Sequence, residues 1–246
     1  MARRARSGRM AVAPARVGQL KSWSYSTWNM WRKCPRRIYY SKIEKRPDPM
    51  GAAAQRGIRI HEMAEKFIKG SLLELPTKGV GKELGHFKTK LLQLRNSATA
   101  KAELDFTFTR DWSQTHWRDW DNAYVRIKVD AFARPDPDTI VIIDFKTGQR
   151  RDYDAQFELY ALGGFKAYPG VKQVRSELWY IDEGFKFGGD CIDKMQFTKD
   201  EEPALQELWE KRVAPMMADT KFVAQPSSDC GWCPFSKLKS GPCTDG

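Results

Sequence analysis

Apolar and polar residues alternate along one stretch of the chain, and apolar residues run unbroken along another. From Lys101 to Thr109, Ala102, Leu104, Phe106 and Phe108 fall on one side, and Glu103, Asp105 and Thr107 on the other. That period of two predicts a half-buried strand. Tyr124–Phe132 and Thr139–Lys146 predict two more strands, joined by a turn at Pro135, Asp136, Pro137 and Asp138. Thr139–Ile143 is apolar and β-branched throughout, the pattern of a strand covered on both faces. Lys172–Ile181 predicts another strand, Glu183-Gly184 a turn, and Phe185–Phe197 a strand that pairs back. A helical period marks Ser22–Tyr40, with Trp28, Trp31 and Ile38 inward and a break at Pro35. It recurs at Ala52–Lys69, where Ile60, Ala64, Phe67 and Ile68 share a face, at His86–Asn96, at Ala155–Tyr168, and at Asp200–Met216 behind a Thr198 cap. The Trp- and Asp-rich stretch Asp111–Asp121 is predicted to be a loop, with His116 on its surface. The fold class is α/β: a central mixed β-sheet flanked by helices.

Three charges stand out against these apolar runs. Asp144 and Lys146 lie two apart at the end of the most apolar strand, so they share a face. A hairpin turn brings Asp130 beside Asp144. Burying two carboxylates and an ammonium in one small volume is costly unless a partner compensates. A divalent metal held by the carboxylates, with the lysine facing a phosphate, would do so.

Asp130 followed by Asp144-Phe145-Lys146-Thr147-Gly148 resembles the D…(D/E)-x-K core of the PD-(D/E)xK nuclease superfamily, in its RecB-type form. The resemblance implies a restriction-endonuclease-like core. It also implies metal-dependent phosphodiester hydrolysis, with Mg²⁺ or Mn²⁺ held by Asp130, Asp144, the Phe145 carbonyl and His61. Gly57, His61 and Glu65 recur every fourth residue on one helix face. RecB-type nucleases place a metal-ligating histidine on such a helix ahead of the core; read alone, a histidine such as His61 is more often a satisfied surface residue. Glu103 resembles the glutamate that points into such sites from the preceding strand; its alternative is a solvated face. Gln156 and Tyr160, four apart on the helix after Lys146, resemble the Q…Y pair of this branch, which supports the site and lines the DNA groove.

The chain ends Cys230-Gly-Trp-Cys233, with Cys243 after nine further residues, and Cys34 stands at the Pro35 break. A C-x2-C pair is a general metal-binding device. The set of four resembles the iron–sulfur motif of helicase–nuclease subunits and CRISPR-associated spacer-acquisition nucleases, where a [4Fe-4S] cluster staples the two ends of the domain. Zinc suits four thiolates equally, and unligated cysteines are the third reading. Cys191 lies outside the pattern and is expected to be a core thiol.

Charge sharpens the picture. The net charge is +11, yet residues 1–46 hold thirteen Lys and Arg against one acid, and the other 200 residues are nearly balanced. Such asymmetry points to a polyanion. Arg32, Lys33, Arg36 and Arg37, interleaved with Trp28, Trp31, Tyr39 and Tyr40, are candidate nucleic-acid contacts. Residues 1–20 are expected to be a basic flexible arm, and 21–246 a single nuclease domain with a C-terminal cysteine-ligated cap. No apolar run approaches the ~20 residues of a membrane span, and a cytoplasmic protein is expected, a mitochondrial presequence being the lesser reading.

The sequence thus leads to a metal-dependent DNA exonuclease of recombination, repair or phage DNA processing, with DNA and a recombination, helicase or single-strand-binding protein as partners. Two other readings stand beside it: a nucleic-acid-binding or scaffold protein on a nuclease-like fold that no longer cuts, and an RNA-directed nuclease.

Overall fold

In the computed structural model of the chain, residues 19–245 are described, so the arm expected over 1–20 lies outside them except for Gln19 and Leu20. The elements run α1 (Tyr25–Lys33), α2 (Pro35–Ile38) with a π-helical turn behind it, α3 (Ala52–Ile68), a 3-10 turn (Lys82–Phe87), α4 (Lys88–Asn96), β1 (Lys101–Phe108), β2 (Val125–Asp136), β3 (Thr139–Lys146), α5 (Asp154–Ala167), β4 (Gln173–Tyr180), α6 (Ile181–Phe187), β5 (Ile192–Thr198) and α7 (Glu202–Ala218). The five strands form one mixed sheet in sequence order, a restriction-endonuclease-like α/β arrangement with helices flanking it. β1, β2 and β3 are antiparallel neighbours, β3 and β4 are parallel through the α5 crossover, and β5 runs back along β4.

The two faces of β3 are covered by different elements. Ile140 and Ile142 meet α5, whose Gly164 lies so close that a Cβ there would fall 2.9 Å from Ile140 and 3.2 Å from Ile142. Phe145 points the other way, against Trp179, which stacks on Phe87 at 5.6 Å between ring centres. Covering both faces explains the unbroken apolar run. Asp144 and Lys146 continue the α5 face to the strand's C-terminal end, where a ligand site in an α/β sheet commonly forms.

The structure departs from the sequence reading in four places. Glu183-Gly184 is not a turn but lies within α6; the glycine is there for contact, since a Cβ would stand 2.6 Å from His86 and 2.7 Å from Phe87. The reversal comes later, at Gly188 and Gly189, both with positive φ, which leaves β5 shorter than expected. β2 runs on through Pro135 and Asp136 with a bulge after Ala133, which accommodates a residue with no N–H, and Asp136 accepts from the Asp138 N–H at 2.9 Å to make the turn. In β1 the alternation fails: Glu103 adopts φ +55°, and beyond it Phe106, Thr107 and Phe108 are all buried. Trp31, expected inward, is half-buried and donates to Asp219 at 2.8 Å.

Candidate active site

β2 and β3 bring the acids together. Asp130 Oδ2 accepts from the Phe145 N–H at 2.7 Å, which pins the Asp130 side chain across the hairpin beside Asp144. Asp130 Oδ1 lies 2.9 Å from Nδ1 of His61. The imidazole is delivered by α3, which runs close to the loop after Lys146: a Cβ on Gly57 would stand 2.9 Å from Thr147 Oγ1. A larger residue at position 57 would therefore push either the helix or the loop.

α5 supplies the other wall. Gln156 Nε2 donates to Asp144 Oδ1 at 3.1 Å and to Tyr160 Oη at 2.6 Å, and the Tyr160 hydroxyl donates to Asp144 Oδ1. The Lys146 ammonium donates to Gln156 Oε1 at 2.8 Å and lies 2.7 Å from Asp144 Oδ2, at an angle that makes no hydrogen bond. Asp144 Oδ2 is thus a buried carboxylate oxygen whose one close partner is the Lys146 ammonium.

The electrostatics follow from this crowding. Burial, and then the charge of Asp144, raise the Asp130 carboxyl above its usual range, against the lowering pull of His61. For His61, burial acts downward, but the hydrogen bond and charge of Asp130, with Asp144 behind it, outweigh it and the net direction is up. Burial first, then Asp144 and Asp130, push the Tyr160 phenol well up, so it remains a donor at neutral pH.

The residues present fit a divalent ion in chemistry. His61 Nε2 makes no hydrogen bond among the described residues, while Nδ1 faces Asp130, the usual second partner of a metal-bound imidazole. Asp144 Oδ2 offers a free lone pair, and each Asp130 oxygen retains one beyond its hydrogen bond. Among the described residues, however, no three His, Cys, Asp or Glu side chains converge closely enough to hold an ion as they stand. Lys146 is the reason visible at Asp144: its ammonium lies against the oxygen a metal would use.

Not every expected residue joins this cluster. Glu103, at a positive φ, pairs with Lys128 of the same groove and makes no direct contact with Asp130 or Asp144. Glu65 pairs with Lys69 one turn along its own helix. Arg32 stacks over Trp28, Arg36 lies over Tyr39, Lys33 pairs with Asp229 at 3.1 Å, and Arg37 reaches Asp48 at 3.7 Å. Lys33, Arg36 and Arg37 surround the cysteines, while a different set faces the carboxylates: a groove of about 850 Å³, lined by Asp144, Gln156 and Tyr160, has Lys21, Lys42, Lys45, Arg126 and Lys128 on its walls. Arg126 and Lys128 were readable as outward positions of β2; nothing in the sequence ties Lys21 to them.

Cys34, Cys230, Cys233 and Cys243 are free thiols that line one pocket of about 50 Å³. Cys34 reaches it from the α1–α2 junction, where it caps α2. The long last spacing is taken up by a loop that doubles back: Cys243 N–H donates to Phe235 O and Gly241 N–H to Ser236 O, each at 2.9 Å, and Tyr40 Oη ties down Pro242 O at 3.2 Å. Gly241 has no room for a side chain, since a Cβ would stand 2.3 Å from the Phe235 backbone. The Nε groups of Arg36 and Arg37 are buried there without acceptors. Cationic, unpartnered donors suit a negatively charged thiolate cluster. Burial first, with Cys34 adding to it, raises the Cys233 thiol, so ligation would have to displace its proton. Cys191 is buried, as expected for a core thiol, its thiol donating to Gly188 O.

A hairpin that joins two acids to a lysine, next to a helix-borne histidine and a Gln–Tyr pair, is the kind of centre that phosphodiester-cleaving enzymes build. A family model described as the PD-(D/E)XK nuclease superfamily matches residues 22–238, and the chain belongs to that superfamily. Its members are nucleases, so nucleic acid is the substrate class. Among solved structures, one titled "Crystal structure of SSO0001" is similar at a TM-score of 0.40 and 14% identity, over 91% of this chain and 87% of that one. No curated protein matches. No helix among the described residues is long and apolar enough to cross a membrane.

Proposed function

We propose that the protein is a metal-dependent DNA exonuclease of the RecB-type branch. The carrying observation is the meeting of Asp130, Asp144 and Lys146 at the end of the hairpin, with Asp144 Oδ2 buried against the Lys146 ammonium and bound by no other partner. Asp130, Asp144, the Phe145 carbonyl and His61 would hold Mg²⁺ or Mn²⁺, an imidazole donor tilting the choice toward Mn²⁺. When bound, the ion supplies polarisation of the phosphate and acidification of a water. Lys146 would orient that water or offset charge on the transition state. Gln156 holds the lysine and the aspartate in register, and Tyr160 fixes Asp144 through its hydroxyl. The four-cysteine pocket would hold a [4Fe-4S] cluster, with zinc as its alternative, closing the C-terminal tail onto α2. DNA in recombination or repair, with helicase or single-strand-binding partners, fits the basic groove.

One observation favours a second reading. Lys146 already lies on Asp144 and no ligand triad is assembled among the described residues, as in a scaffold that binds nucleic acid without cutting. End-labelled linear DNA and closed-circular DNA, incubated with Mn²⁺ or Mg²⁺ and with wild type or Lys146→Ala, separate the cases. Loss of label from linear DNA only, abolished in the variant, supports an exonuclease. Cutting of the circle makes it an endonuclease, and binding without cleavage favours the scaffold.

A further inference from the structure

The loop between β1 and β2 carries three tryptophans with three different environments. Trp112 is buried, packs on Trp23 and Phe108, and donates to Glu210 at 3.1 Å. Trp117 is half-buried and lines the groove that contains Asp144. Trp120 is 68% exposed. The Arg126 guanidinium is held between the outer two, 5.3 Å from the Trp117 ring centre and 5.0 Å from that of Trp120. It donates to Trp117 O at 2.7 Å and forms no ion pair with any described acid.

The loop that presents this stack is stapled. Asp119 accepts from Thr115 Oγ1 at 2.6 Å, and from the backbone and side chain of Asn122 at 3.1 and 3.0 Å. The Thr115 N–H pairs with Thr107 O at 2.9 Å. An exposed indole on a rigid loop, backed by an unneutralised guanidinium, is a preorganised aromatic face beside a positive charge. Single-stranded nucleic acid is what such a face recognises: a base has a π-face for the indole, and its phosphate pairs with the cation.

We propose that Trp120, supported on Arg126 and Trp117, is a stacking platform for one base of a single DNA strand entering the groove toward Asp144. This rests on the nuclease reading of the groove, and its test runs without cleavage. Binding of 5′-fluorescein oligothymidylate is measured by anisotropy in EDTA, for wild type, Trp120→Ala and Trp120→Phe. One stacked base lost by alanine substitution weakens binding about five- to tenfold or more, and phenylalanine keeps most of the affinity. An abasic unit is then moved along the oligonucleotide. At one position it weakens wild type but leaves Trp120→Ala unchanged, because the stacking partner is already gone. Equal affinities of Trp120→Ala and wild type would overturn the platform. So would a loss that no abasic position abolishes, since charge or loop folding would then be its source. Metal-dependent cleavage by the wild type, measured separately, decides the nuclease reading whichever way the platform test falls.

Discussion

Arg56 is the hinge of a polar network that fixes the loop after Lys146, and its removal has a calculable effect. The guanidinium donates to both oxygens of Asp182, at 3.1 and 2.7 Å, and to Glu83 at 2.8 Å. Asp182 in turn accepts from the Gly148 N–H at 3.0 Å. The side chains of Glu83 and Asp182 are only 11% and 15% exposed, and that of Arg56 30%. Arg56→Ala leaves two nearly buried carboxylates side by side with no cation. Breaking a buried pair from one side costs about 3–5 kcal/mol; partial exposure reduces this to about 2–3 kcal/mol. For a chain of this size that is a fall of about 4–12 °C in Tm. The loss also depends on pH. Burial alone would raise Glu83, but the Arg56 hydrogen bond and the Glu83 and Gly81 backbone N–H groups outweigh it, and its carboxyl sits below the usual 4.5. A depressed carboxyl stabilises the fold above its unfolded value and loses that contribution as pH falls. The gap in Tm between wild type and Arg56→Ala is therefore widest near neutrality, begins to shrink at about pH 4.5 and goes on shrinking as pH falls through the lowered carboxyl's own range. Thermal unfolding followed by circular dichroism from about pH 7 to about pH 3 reads both quantities. A gap under 2 °C, or one constant across that range, would refute the reasoning.

Other substitutions probe separate parts of the account. Tyr160→Phe removes one donor to Asp144 and should lower the cleavage rate about tenfold or more, with a fall in Tm of a few degrees from the lost hydrogen bond to a charged group; an unchanged rate would remove Tyr160 from the site's support. Gly164→Val drives methyl groups into Ile140, Val174 and Ile142, which a Cβ would already approach at 2.9–3.2 Å. It should cost about 2 kcal/mol or more, and an unshifted urea midpoint would show α5 seated further from the sheet. Protein purified without oxygen should carry iron and acid-labile sulfide that Cys34→Ser and Cys243→Ser each abolish. Zinc in their place would make the pocket a zinc site, and neither element would leave the thiols unligated.

The hairpin was legible because a β-branched run, a Pro-Asp turn and two misplaced charges all point to one geometry, and the structure puts Asp130 and Asp144 where that pattern places them. Gln156 and Tyr160 were legible only through their resemblance to the Q…Y pair that follows the D-x-K strand, and their four-residue spacing on α5 brings both to Asp144. The backbone turn at Glu103 was not, because a left-handed conformation at a glutamate leaves no trace in an alternating pattern. Gly184 misled for the opposite reason: glycine marks turns and close contacts alike, and only the rings of His86 and Phe87 show which is meant. The basic residues divided by tertiary position. Lys33, Arg36 and Arg37 went to the cysteine pocket, whereas Lys42 and Lys45, a few residues on, went to the groove. Adjacent charges in sequence carry no label for the surface they reach. The Arg56 network joins α3, the 3-10 turn and α6, and such partners emerge only once those elements meet.

The central claim is that this acid cluster hydrolyses DNA with a bound metal. It is tested most directly by the rate of nucleotide release from linear DNA as Mn²⁺ is raised from zero, for wild type and Asp144→Asn. A metal-dependent cluster gives no release in EDTA, a rate that saturates with Mn²⁺ in the wild type, and a loss of at least about 100-fold in the variant. Cleavage that persists in EDTA, or an Asp144→Asn protein as active as wild type, would contradict it.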